Sequence, residues 1–263
     1  MSVSIADIKK EYKKTGEFGL LDYEKELEAL YAFVEKHESD ERSGVKATVS
    51  SAEKKINSIR NEIERVKQMM QFEEKYGSEY HSICGVDEVG RGPLAGPIVT
   101  AAVILPEGLI IPHINDSKQI NEKRREELYQ IITENAVSYK IGIKDEKEID
   151  ELGIAVADSL AMKEAVLGLS VPADMVLVDA FKIPGLDLKQ VPIVKGDAKS
   201  VSIAAASIVA KVTRDRMMVE YSKKYPEYGF DSNKGYGSAS HIEAIKKIGP
   251  CEIHRRSFIG NFV

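Results

Sequence analysis

Cysteine is almost absent from this chain of 263 residues. Cys84 and Cys251 are the only two and stand far apart, which excludes a disulfide scaffold. Histidine is nearly as scarce. The five (His37, His81, His113, His241, His254) form no cluster at the short spacing of a structural zinc site. Long apolar runs are missing too: the longest, Pro97 to Pro106, is about half a membrane span. The opening MSVSIADIKK lacks the apolar stretch of a signal peptide. A reduced, cytoplasmic location with no membrane association is therefore the default expectation. An excess of positive charge is also lacking: the net charge is −5 and the pI about 5.7. That argues mildly against a nucleic-acid binder, whose usual footprint is basic. Local charge matters more, because a site for hard divalent cations concentrates carboxylates whatever the net charge. What is present, 43% apolar and 30% charged residues, is the composition of an ordinary globular protein and excludes wholesale disorder.

The first eighty residues contain no proline. Two stripes there step by three and four: Leu20, Tyr23, Leu27, Leu30, Tyr31, Val34, and then Ile56, Ile59, Ile63, Val66, Met70. Such spacing is one face of a helix. The polar stretch Lys36 to Ser50 between them reads as a loop, so the expectation is a helical hairpin over residues 1–76. From about Tyr80 strands alternate with helices, the texture of an α/β domain over 77–263. Strands are expected at His81–Val86, Ile98–Leu105, Val137–Ile143, Asp174–Val178 and Val191–Lys195. Helices are expected at Lys118–Ala136, Glu146–Leu169, Val201–Met218 and His241–Ile248, with Asp116 or Ser117 as N-cap of the first. Val201–Ala210 is rich in Ala and Ser, which lets that helix approach the sheet closely.

The most informative stretch runs from Gly85 to Pro97, GVDEVGRGPLAGP, between two apolar strands. Its glycines at 90, 92 and 96 are one residue too widely spaced for the dinucleotide fingerprint, and a strand follows where that fingerprint needs a helix. There is no Walker lysine-serine pair. A tight hairpin connection would account for the glycines but not for Asp87, Glu88 and Arg91 in the same turn. Two more carboxylates end apolar strands: Asp179 in MVLVDAF and Asp197 in VPIVKGD. Aspartate often begins a turn after a strand. Three strand ends delivering four carboxylates are less ordinary, because strand ends are where α/β folds assemble sites. An oxygen-rich set without His or Cys favours Mg²⁺ or Mn²⁺ over zinc, and such sets suit two-metal phosphodiester hydrolysis.

Taken together, GVDEVGRGPLAGP, Asp116-Ser117-Lys118, LVDA, KGDAKSVSIAAASIVAKVTRDR and NKGYGS resemble bacterial ribonuclease HII, from about Ile83 to His254. The resemblance implies a ribonuclease H-like fold, a mixed five-stranded sheet flanked by helices, here with an N-terminal helical extension. It implies cleavage of RNA in RNA–DNA hybrids and incision 5′ to single ribonucleotides in duplex DNA, leaving 3′-hydroxyl and 5′-phosphate ends. That activity would serve ribonucleotide removal from DNA. The metal-holding catalytic set carries over onto Asp87, Glu88, Asp179 and Asp197, with Mg²⁺ or Mn²⁺ in a two-metal site. Gly90, Arg91 and Gly92 correspond to the loop that reads the 2′-hydroxyl, the group that marks RNA. Tyr236 corresponds to the tyrosine packed on the sugar next to the cut. Ser117 and Lys118 resemble the phosphate-contacting pair, and Lys199, Lys211, Arg214 and Lys234 are candidates for backbone contacts.

Ser238 stands where threonine is commoner in the family and Gln119 where lysine is common. The tail after His254 shows no convincing sliding-clamp peptide, and a monomer is the family expectation. The paralogous ribonuclease HIII, acting on longer hybrids, is the nearest rival. Gly90–Gly92 and the tyrosine motif favour the HII type. A non-catalytic hybrid binder would gain nothing from an anionic cluster near phosphate, and a dinucleotide oxidoreductase lacks its glycine spacing.

Overall fold

Every residue of Ile98–Ile104 is buried, which requires a sheet covered on both faces. The computed structural model describes residues 3–261. It divides into two compact units. One runs to Gln68 and takes in Ile110–His113; the other is Met69–Leu109 with the chain from Ile114 onward.

The second unit is built on strands β1 (Ile83–Val89), β2 (Ile98–Ile104), β3 (Ser138–Lys144), β4 (Met175–Asp179) and β5 (Lys189–Ile193), ordered β3-β2-β1-β4-β5. The β3-β2-β1 pairings are antiparallel and β1-β4-β5 parallel, so the sheet is mixed, as the resemblance implies. Its helices are α5 (Glu122–Asn135), α6 (Glu146–Leu152), α7 (Ile154–Leu167), α8 (Val201–Lys224), α9 (Phe230–Asn233), α10 (Ala239–Ile248) and α11 (Arg256–Ile259). α7 covers one face, packing Met162, Ala165 and Val166 on Cys84, Val86, Ala102 and Val178. α8 covers the other. Both approach the sheet as closely as glycine permits. A Cβ on Gly85 would lie 2.1 Å from the backbone of Ser202, and one on Gly142 would lie 2.0 Å from the carbonyl of Ala161. The small residues Ala204, Ala205 and Ala206 of α8 are all fully buried, which fulfils the packing role expected of that segment.

Several boundaries differ from expectation. Glu146–Leu169 is two helices, broken at Gly153, whose φ of 78° is left-handed. α5 begins later than expected because Asn121, not Asp116 or Ser117, caps it by accepting from the N–H of Arg124. β5 lies two residues earlier than expected, on the sheet edge where alternation is weak.

The first unit holds α1 (Ile5–Lys14), α2 (Tyr23–His37) and most of α3 (Ser43–Met69); a short α4 (Gln71–Tyr76) opens the second. α3 starts inside the expected loop, so the hairpin becomes a three-helix unit. Val45, Val49, Ala52 and Ile56 continue a helical stripe between polar neighbours and bury against Ile8, Leu30 and Phe33. No helix among the described residues is long and apolar enough to cross a membrane.

Candidate active site

The carboxylates meet because of strand register. Val86 pairs with Val178 in parallel, so Asp87 and Asp179 follow at the same level on neighbouring strands. Side chains alternate along β1. Val86 faces α7, and Asp87 faces α8, where the Ser207 hydroxyl bonds it. Glu88, with 17% of its side chain exposed, lines a cavity of about 270 Å³ with Arg91, Asp158, Asp179 and Phe181. Asp197 arrives in a 3₁₀ turn, Gly196–Ala198, after Lys195 in a left-handed conformation. The N–H of Gly196 donates to Asp179 Oδ1 at 2.7 Å, so the turn carrying Asp197 is tied to the end of β4.

Burial is the main cause pushing Asp87 and Glu88 well above the usual carboxylate range. The charges of Asp179 and Asp197 add to it at Asp87, and those of Asp87 and Asp158 at Glu88. Asp197 is raised chiefly by burial, then by Asp116 and Asp179, against a lowering pull from Lys118. No group of three or more His, Cys, Asp or Glu side chains among the described residues is arranged to hold a metal ion as it stands.

The turn from Gly90 to Pro97 is fixed from behind by two arginines that are fully buried. Arg255 donates to the carbonyls of Gly90, Arg91 and Gly96 at 2.6, 3.1 and 2.9 Å. Arg214 donates to those of Pro97, Ala95 and Lys234 at 2.9, 3.1 and 2.8 Å. Glycine is needed at 90, where φ is 101° and a Cβ would meet Arg214 at 2.5 Å. Arg91 itself reaches outward, 3.1 Å from Asp158 and 3.9 Å from Glu88. Gly92 is exposed. Tyr236 presents 41% of its surface to solvent, on a segment tied to the loop by the Leu94 N–H donating to the Gly235 carbonyl.

The expected cations divide. Lys118 is exposed beside Asp197, and Lys199 is exposed with its ammonium on the carbonyl of Val194. Lys234 donates to the carbonyl of Asp231. Arg214 is a correction: a fully buried guanidinium reaches no phosphate, and its work is to hold loops. Lys211 is corrected likewise. Only 15% of its side chain is exposed and its ammonium is paired with Asp215 at 2.6 Å. Which face of α8 lies outward could not be read from a helix buried on nearly all sides. The Ser117 hydroxyl is also buried, 3.0 Å from Ser207, so it backs the serine that bonds Asp87.

Sequence reasoning missed Asp158, Ser207 and Arg255. Asp158 left a signal, an acid within the apolar run IAVADSLAM. Arg255 sits in HRRSF with nothing to mark which arginine turns inward.

The fold and the carboxylates at its strand ends define a ribonuclease H-type enzyme. The crystal structure of ribonuclease H2 from Pyrococcus horikoshii matches with a TM-score of 0.57 and 29% identity, covering 67% of this chain and 93% of that one. Bst ribonuclease HIII in complex with Mn²⁺, 22% identical with a TM-score of 0.51 over 64% of this chain and 63% of that one, shares the fold. A family model for ribonuclease HII matches residues 84–261, and one for the ribonuclease HII N-terminal domain matches residues 4–77. Ribonuclease HII of Lachnoclostridium phytofermentans is 49% identical over 99% of this chain and 98% of its own. That of Ruminiclostridium cellulolyticum is 56% identical over 77% and 80%. The chain belongs to the ribonuclease HII family.

Proposed function

We propose that this chain hydrolyses the RNA strand of RNA–DNA hybrids and incises 5′ to single ribonucleotides in duplex DNA, leaving 3′-hydroxyl and 5′-phosphate ends. What supports the reading is the electrostatic coupling of Asp87 to Glu88, Asp179 and Asp197 at neighbouring strand ends, beside a glycine loop clamped by Arg255, in a chain of this family. The donors fit Mg²⁺ or Mn²⁺. All are carboxylate oxygens, and three of the four, Asp87, Glu88 and Asp197, are raised by burial and by neighbouring negative charge that a divalent cation would relieve. Asp87, Glu88 and Asp179 would hold the ions, with Asp197 completing the second position. When bound, two such ions neutralise charge at the scissile phosphate and make water a better nucleophile.

The chain's own groups supply selection and orientation. Gly90 and Gly92 permit main-chain approach to the 2′-hydroxyl. The carbonyls of Gly90 and Arg91 are already taken by Arg255, so the loop offers a fixed surface. Tyr236 packs against the sugar beside the cut, and Lys118, Lys199 and Lys234 meet the backbone. In this proposal residues 77–263 carry catalysis, residues 1–76 are an extension, and the enzyme acts as a cytoplasmic monomer.

Cleavage of a labelled long RNA–DNA hybrid tests the reading. Activity lost in EDTA and restored by Mg²⁺ or Mn²⁺ is expected; binding without turnover under every metal condition would make the chain a hybrid binder.

A further inference from the structure

His241 and His254 are buried, 0% and 1% exposed, and the proposed chemistry uses neither. Their hydrogen bonds have a single direction. The backbone N–H of Cys251 points at His254 Nδ1 at 2.9 Å, and the Cys251 thiol lies 3.1 Å from the same nitrogen. An N–H only donates, so His254 Nδ1 is bare and its proton sits on Nε2. That nitrogen lies 3.0 Å from His241 Nε2. Two protons do not fit in one such gap, so His241 Nε2 accepts and the His241 proton sits on Nδ1. From there it donates to the carbonyl of Tyr236 at 2.8 Å. Every ring nitrogen is satisfied when both imidazoles are neutral, and a proton added to either ring would face a donor or another proton.

The surroundings agree. The rings of Tyr228 and Phe230 pack on both imidazoles at 4.8 to 6.2 Å, centre to centre. Burial pushes both histidines below the usual range, His254 to about 4 with further lowering by His241. At the far end, Tyr236 stands between Gly235 and Gly237, where the chain by itself is loose. Its carbonyl receives the His241 proton and the N–H of Ser238, also at 2.8 Å.

We infer that His241 and His254 are positioning residues, a neutral imidazole relay that fixes the backbone at Tyr236 and so sets how sharply the enzyme distinguishes an RNA–DNA junction from a uniform hybrid. The substrate half of this inference rests on the role proposed for Tyr236; the wiring half rests on geometry alone.

Two measurements test it. Nitrogen-15 spectra of the wild-type imidazoles should show His254 protonated on Nε2 and His241 on Nδ1, unchanged between about pH 6 and 8. The opposite tautomers, or a charged ring at pH 7, would overturn the wiring whatever the variants do. The second reading is the ratio of kcat/KM on a single-ribonucleotide duplex to that on a long hybrid. His241→Leu should lower this ratio about tenfold, since small misplacements of positioning groups have effects of that order. His241→Asn, whose amide nitrogen can replace Nδ1 as donor, should keep it within about threefold. Equal ratios for the Leu and Asn variants would overturn the inference. Tyr236→Ala run beside them separates the failures. If it lowers the ratio and His241→Leu does not, only the relay is wrong. If it leaves the ratio unchanged, the reading of Tyr236 fails and takes the substrate half with it.

Discussion

Asp87 has 6% of its surface exposed and faces two other acids. Ionised there, it is held against both desolvation and repulsion, so the site opposes the fold's stability in the absence of a counter-ion. Asp87→Asn removes the charge and keeps the shape. Its turnover should fall at least about a thousandfold, the scale of removing an essential group from a cooperating set. In EDTA it should melt a few degrees above the wild type, the shift expected of roughly 1 kcal/mol in a chain of this size. Thermal melts beside hybrid turnover check both; wild-type turnover would remove Asp87 from the ligand set. Arg255 poses the reverse case. Arg255→Lys gathers its donors on one nitrogen, whereas Arg255 meets the three carbonyls through Nε, Nη1 and Nη2 spread over a planar fork. Leaving those carbonyls unpaired in the interior should cost about 3–5 kcal/mol, read by urea unfolding. A loss under about 1 kcal/mol would show that the Gly90–Gly92 loop holds itself. At this scale the sequence was readable for placement where residues are contiguous, as with Asp87 and Glu88 at the end of β1 and the turn at Gly90. It was unreadable where function depends on which way a side chain turns: the sequence does not distinguish the buried Arg214 or the Asp215-paired Lys211 from a cation facing phosphate.

Between residue and molecule the telling element is α8. Ser200 caps it through its own hydroxyl, accepting from the N–H of Ile203. Glu73 of α4 accepts from the Ser200 hydroxyl at 2.6 Å and the Ser202 N–H at 3.0 Å, so a carboxylate also sits at the helix N-terminus. The turn with Asp197 lies just upstream, so a loose start to α8 would loosen that carboxylate. Glu73→Ala should lower stability by about 1 kcal/mol, the usual worth of a cap. It should also raise the Mg²⁺ concentration for half-maximal activity. A stability loss with no change in metal requirement would confine Glu73 to capping. The helix itself was legible in VSIAAASIVA, because small residues announce close packing. Its capping acid was not, since Glu73 lies 127 positions before Ser200. Gly153 likewise breaks a stretch whose apolar pattern runs on without interruption.

For the molecule as a whole, the five-stranded sheet followed from apolar runs and the resemblance, while the exact bounds of the compact units did not. Ile110–His113 belongs to the first compact unit although both flanking segments belong to the second. Within that unit the His113 N–H donates to Glu62. Nothing in IIPH marks this. Nor does composition separate Gln68 from Met69, because α3 runs through that point. The consequence is measurable with two truncations. A chain starting at Met69 keeps α4 and Glu73, whereas one starting at Gly77 loses them. The first should melt at least a few degrees higher; equal melting would place the stabilising role of α4 elsewhere. The central claim is tested most directly on a DNA duplex carrying one ribonucleotide, incubated with Mg²⁺, Mn²⁺ or EDTA. The expected result is a single metal-dependent cut just 5′ to the ribonucleotide, leaving a 3′-hydroxyl and a 5′-phosphate. An uncut duplex under conditions where long hybrids are degraded would contradict it and remove Tyr236 and the Gly90–Gly92 loop from the roles given to them.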